Sequence, residues 1–170
     1  MAPPTRNASG LRLLLVASCW LRLGSAQHTV CTEPSNTGVC TGAYTGTSLD
    51  LNGQSPGLTG TIPTQLGLLS STLTDELKLS TNDISGTVPS EIVALTGLSD
   101  LTFASNSVSG TLPTQIALMS DLTSLTPGFN LISGTMPSEL GVLSKLEYVS
   151  SGRTSFSGSL PLIGCLVVNT

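Results

Sequence analysis

Charge, aromatic rings and histidine are all scarce in this chain. Of its 170 residues, 9% are charged and 4% aromatic, with one histidine and one tryptophan. Each shortage removes a class of function. A Ser or Cys nucleophile needs a fixed base, and the sole candidate, His28, lies far from any recurring element of the sequence. A metal centre needs three or four clustered His, Cys or carboxylate ligands, and the spacing supplies no such cluster. No Gly-rich loop ending in Lys is present to cradle a phosphate. The acids at Asp50 and Asp75-Glu76 read as solvated surface. The six Lys and Arg are scattered, whereas phosphate backbones and anionic lipids require them clustered. The sequence therefore implies no enzyme, no cofactor, no metal and no nucleic-acid partner.

Long apolar runs are also missing after residue 26. Before it, Arg6 and Arg12 precede the apolar stretch Leu13 to Leu21, and Gly24-Ser25-Ala26 offers small residues for cleavage ahead of Gln27. Residues 1–26 thus read as a secretory leader. The alternative is an uncleaved segment associated with a membrane, although a stretch this short, closed by Arg22, falls below what a bilayer core of about 30 Å demands. Removing the leader leaves Lys78, Lys145 and Arg153, three cations against ten acids, a net charge of −7. The destination is the extracellular space or the cell surface, where thiols oxidise. Cys31 and Cys40 are the natural disulfide pair there. Cys165 is left as a buried or unpaired thiol, or as one half of an intermolecular bridge.

What is abundant is repetition. Gly60-Thr61-Ile62-Pro63, Gly86-Thr87-Val88-Pro89, Gly110-Thr111-Leu112-Pro113, Gly134-Thr135-Met136-Pro137 and Gly158-Ser159-Leu160-Pro161 stand 26, 24, 24 and 24 residues apart. After Pro89 come Ile92, Leu95, Leu98, Leu101, Phe103, Asn106 and Val108; after Pro113 come Ile116, Met119, Leu122, Leu125, Pro127, Asn130 and Ile132. A period in the twenties with L-x-x-L-x-L-x-x-N is the leucine-rich-repeat pattern. One such coil cannot bury its own apolar side, whereas stacked coils share a continuous core. Alternation makes the L-x-L piece a short strand, with Leu101 and Phe103 inward and Thr102 outward. The Ser-Gly-Thr-Val-Pro stretch is expected to turn the chain. Asn82, Asn106 and Asn130 recur at one position, where a side-chain amide satisfies backbone groups of its own and a neighbouring coil.

Ile62-Pro63-Thr64-Gln65-Leu66, with Leu-Thr-Gly or Ile-Ser-Gly ahead of such strings, resembles the plant-specific class of extracellular leucine-rich repeats. Gly38-Val39-Cys40, followed by Thr47-Ser48-Leu49-Asp50-Leu51, resembles the end of that family's N-terminal cap and its first strand. The class includes receptor-kinase ectodomains and polygalacturonase-inhibiting proteins, and similar short arrays occur in algae and protists. The resemblance covers roughly residues 28 to 161. It implies an α/β solenoid, a right-handed coil with a short-stranded parallel β-sheet on the concave face and 3-10 or irregular turns on the convex face. The expected organisation is a leader over 1–26, a cap with Cys31 and Cys40 over 27–46, about five repeats over 47–161 and an irregular tail over 162–170.

The pattern breaks in places. The family's cap tryptophan is missing, since Trp20 sits in the leader. Two coils carry two extra residues, Ser55-Pro56 in the first and a pair between Leu69 and Leu77 in the second, insertions that loops absorb cheaply. Pro127 takes an inward strand position without an N–H to donate, Ser151 replaces an apolar residue, and Thr154 replaces the Asn.

Function is expected on the concave face, where the family binds. Its central outward column is Asp50, Lys78, Thr102, Thr126 and Ser150, and the column before it Ser48, Glu76, Asp100, Ser124 and Tyr148. Protein hot spots favour Trp, Tyr and Arg, so the expected ligand-binding residues are Asp50, Glu76, Lys78 and Asp100 with Tyr148 and Arg153. The resemblance implies a recognition module for a protein or peptide, including a separate membrane receptor. The alternatives are inhibition of a secreted polysaccharide-degrading enzyme, polysaccharide binding, a truncated receptor fragment, and a surface-coating role with ice or wall contact through Thr61, Thr87, Thr111 and Thr135.

Overall fold

Each coil begins where the chain must run straight and ends where it must bend. Short L-x-L pieces become three-residue strands: β2 (Ser48–Asp50), β4 (Glu76–Lys78), β6 (Asp100–Thr102), β8 (Ser124–Thr126) and β10 (Tyr148–Ser150). They pair in parallel and in register, so that Leu49, Leu77 and Leu101 stack in one inward column and continue through Leu125 and Val149. A computed structural model describes residues 21–23, 47–54, 57–157 and 167–169. Most of the expected leader, the cap with Cys31 and Cys40, the Ser55-Pro56 insertion and Cys165 lie outside the described residues.

The Ser-Gly-Thr strings depart from expectation. They do not simply turn the chain; they form a second parallel sheet. Its strands are β3 (Leu58–Thr61), β5 (Asp83–Thr87), β7 (Ser107–Gly110), β9 (Leu131–Thr135) and β11 (Ser155–Ser157). A side-chain ladder explains the difference. The hydroxyls of Ser85, Ser109, Ser133 and Ser157 each donate to the glycine carbonyl one coil earlier, at 3.1 to 3.3 Å. Fixed in this way, the strings pair with the neighbouring coils even though their glycines hold a positive φ, 76° at Gly86 and 79° at Gly110.

Pro63, Pro89, Pro113 and Pro137 then open short 3-10 helices, η1 (Thr64–Leu69), η2 (Ser90–Ala94), η3 (Thr114–Leu118) and η4 (Ser138–Val142). Each proline carbonyl accepts from the amide three residues on, as in Ile92 to Pro89 at 3.2 Å, the bond that defines this tight helix. The extra pair in the second coil is absorbed here: η1 is one residue longer than the others, and the Thr72 and Leu73 amides both close onto the Leu69 carbonyl. With a strand sheet on one face and 3-10 helices opposite, the chain forms an α/β solenoid.

The interior is one apolar column system running the length of the coils, with Leu77, Leu79, Phe103, Leu101 and Leu125 fully buried. Each such side chain contributes roughly 1.5–3 kcal/mol relative to exposure. Asn82, Asn106 and Asn130 stitch the coils together. The Asn106 side-chain oxygen accepts from the Ile84 amide at 3.0 Å, and its nitrogen donates to the Leu79 and Phe103 carbonyls at 3.0 Å and to Ala104 at 3.2 Å.

The C-terminal coil is thinner. Thr154 donates to the Ser151 carbonyl at 2.7 Å but does not reproduce the set of bonds made by asparagine. Pro127 has no amide to offer the next coil, and Gly128 donates to the Ser150 carbonyl instead, at 3.0 Å. The tail is not wholly irregular: β12 (Val167–Asn169) adds in parallel to β10, as suits two consecutive valines on an open edge. At the other end, β1 (Leu21–Leu23), inside the expected leader, pairs antiparallel with β3.

Candidate functional site on the concave sheet

Outward side chains of the concave sheet form two rows because strand residues alternate faces. Register brings Glu76 beside Asp100, Asp100 beside Ser124, and Ser124 beside Tyr148; the next row joins Asp50 to Lys78 and Lys78 to Thr102. Four of the expected site residues, Asp50, Glu76, Lys78 and Asp100, therefore lie in neighbouring coils. Tyr148 shares the row of Glu76 and Asp100, two strands beyond Asp100. Arg153 does not share the face: it follows β10 in the turn that leads into β11, with a φ of 54°.

One cation serves three carboxylates at the N-terminal end. Lys78 Nζ pairs with Glu76 Oε2 at 2.9 Å. The hydrogen bond that Lys78 donates to Glu76 holds its ammonium above its ordinary pKa, against desolvation and with help from Asp100 and Asp50. Burial pushes the Asp100 carboxyl above its ordinary value, while a hydrogen bond from Ser124 and the charge of Lys78 pull the other way. Asp100 Oδ1 and Thr102 Oγ1 are both buried without a protein hydrogen-bond partner. Like charges directly opposite, as Glu76 and Asp100 are, destabilise a sheet. This end of the face is thus acidic and electrostatically unsaturated.

Past Thr102 the floor turns small. Thr126, Ser150, Ala104 and Gly152 leave backbone close to the surface, and Tyr148 is the one aromatic outward side chain among β2, β4, β6, β8 and β10. No group of three or more His, Cys, Asp or Glu able to hold a metal ion occurs among the described residues, and no described helix is long and apolar enough to cross a membrane.

Of the row Thr61, Thr87, Thr111 and Thr135, three end strands of the other sheet and Thr111 directly follows β7. There the methyls of Thr61, Thr87 and Thr111 point at the glycine of the next coil, which ties the recurrence of threonine to packing between coils.

No family model and no curated protein sequence matches the chain. Solved structures do. The ectodomain of the receptor kinase SOBIR1 from Arabidopsis thaliana is 32% identical over 71% of this chain, with a TM-score of 0.63. The BIR3–SERK2 complex from the same plant is 34% identical over 71%, again at 0.63. This chain belongs to the plant extracellular class of leucine-rich-repeat proteins. A further match of this leucine-rich-repeat protein is the plant peptide hormone receptor RGFR1 in complex with RGF2, 35% identical over 65% at a TM-score of 0.59. The chain spans 66%, 65% and 18% of those three structures, in the order given.

The residue pattern had Arg153 among the expected binding residues but did not foresee its contact with Phe129. The Arg153 guanidinium lies 5.5 Å from the Phe129 ring centroid, although 24 residues separate them. A signal existed: both occupy the position immediately before the recurring Asn or its Thr154 replacement, so equal repeat phase places them side by side.

Proposed function

We propose that this protein is a secreted, non-catalytic recognition module that binds a protein or peptide through the outward face of its concave sheet. The observation that carries the reading is the cluster of Asp50, Glu76, Lys78 and Asp100 on adjacent strands, with two buried polar atoms lacking partners. Strands stacked on a packed core present such a face with little ordering cost on association. RGFR1, a structural relative, is a receptor solved with a peptide hormone, and BIR3 and SERK2 form a protein complex; both support a protein or peptide as ligand. Secretion follows from the leader read over residues 1–26.

The test is affinity capture from the native extracellular medium with the mature protein, set beside Lys78→Ala and Tyr148→Ala. Partners held by the concave face are expected to weaken or disappear with the variants. An unchanged set of captured proteins would move the site off this face.

A further inference from the structure

A second surface lies on the flank between the two sheets. Phe129 and Leu131 are 53% and 64% exposed, separated by the buried Asn130. Earlier coils place Thr81 and Ser105 where Phe129 stands, and Asp83 and Ser107 where Leu131 stands. Neither apolar residue is required by the repeat, and neither joins the core. Phe129 also holds a φ of 55°, a region that a bulky side chain enters only at a cost. Every coil adopts this geometry there, with Thr81 at 59° and Ser105 at 56°, so the repeat explains the backbone. It does not explain a phenylalanine.

Charge sharpens the point. Among the described side chains, Lys78 is paired with Glu76 and Lys145 with Asp121 at 2.5 Å. Arg153 alone has no carboxylate; its guanidinium lies over the Phe129 ring, and both are exposed. Backbone bonds hold the two coils in register, with the Phe129 amide donating to the Gly152 carbonyl at 2.7 Å and the Asn130 amide to Arg153 at 3.3 Å. A planar guanidinium with unspent donors pairs bidentately with carboxylates, the group of that geometry that protein side chains supply, and exposed apolar patches mark interaction sites.

We infer that Phe129, Leu131 and Arg153 form a docking surface for a partner protein segment that presents a carboxylate beside an apolar side chain. The carboxylate pairs with Arg153 and the apolar group covers Phe129 and Leu131. Elsewhere the described surface carries an excess of acids, so charge complementarity confines an acidic segment to this flank. The inference rests on the recognition-module reading but uses a different face.

Random dodecapeptides displayed on phage and selected against the full chain provide the test. Enriched peptides are expected to share an acidic residue next to an apolar one. Their affinity is expected to fall about tenfold or more with Arg153→Gln, the loss that removing a charged hydrogen-bond partner produces. A comparable fall is expected with Phe129→Asn, which tolerates the same backbone conformation, and none with Lys78→Met. No enrichment, or peptides indifferent to Arg153→Gln, overturns the inference. Peptides sensitive to Lys78→Met instead would support the concave site and overturn this one. A dimer in sedimentation that Arg153→Gln dissociates would assign the flank to a second copy, which also overturns it.

Discussion

The methyl group of Thr87 faces Gly110 so closely that a β-carbon on the glycine would lie 2.8 Å from it. Gly110 also holds a φ of 79°. Gly110→Ala is therefore expected to destabilise the protein by about 2–4 kcal/mol, from the left-handed backbone and the steric overlap together. Urea unfolding measures this, and adding Thr87→Ser, which removes the methyl, should recover the overlap portion only.

Asn106 joins two coils through one accepted and three donated contacts. Asn106→Ala is expected to cost about 2–4 kcal/mol because buried backbone groups lose partners. The opposite change at the frayed end, Thr154→Asn, should gain about 1 kcal/mol by supplying the Ile132 amide with an acceptor and the Pro127 carbonyl with a donor. Denaturant midpoints of the two variants, moving in opposite directions, check both.

Asp100 makes stability fall as pH rises. Burial holds its folded pKa above the ordinary value of 3.8, so between those two values the unfolded chain releases the proton first and unfolding becomes easier. Below the ordinary value both states are protonated and the group contributes nothing. Asp100→Asn is expected to raise the melting temperature near neutral pH, where it also relieves repulsion from Glu76, with the gain vanishing near pH 3. A gain that persists unchanged in acid would point to a cause other than this carboxylate.

Secretion and oxidation give a mass. The exported protein is expected to begin at Gln27 and to carry a Cys31–Cys40 bridge, read by N-terminal sequencing and by peptide mapping with and without reductant. A start upstream of Arg22 would identify an uncleaved segment and keep β1 on the edge of the second sheet.

Period, inward columns and the recurring asparagine were all legible in the linear order of residues, because each coil repeats the same local requirement at nearly constant spacing. The acidic group of Asp50, Glu76, Lys78 and Asp100 was legible for the same reason: outward strand positions follow from alternation, and repeat phase aligns them. Tertiary structure alone decided three things. The Ser-Gly-Thr strings became strands because the serine hydroxyls reach a carbonyl in the preceding coil, a contact that no single repeat contains. Asp100 Oδ1 and Thr102 Oγ1 lost solvent because packing around them leaves no room for it. Arg153 lies off the concave face because the chain turns after Ser150; repeat phase aligns it with Phe129 in the sequence, but the ring contact itself is made only by the stacking of consecutive coils.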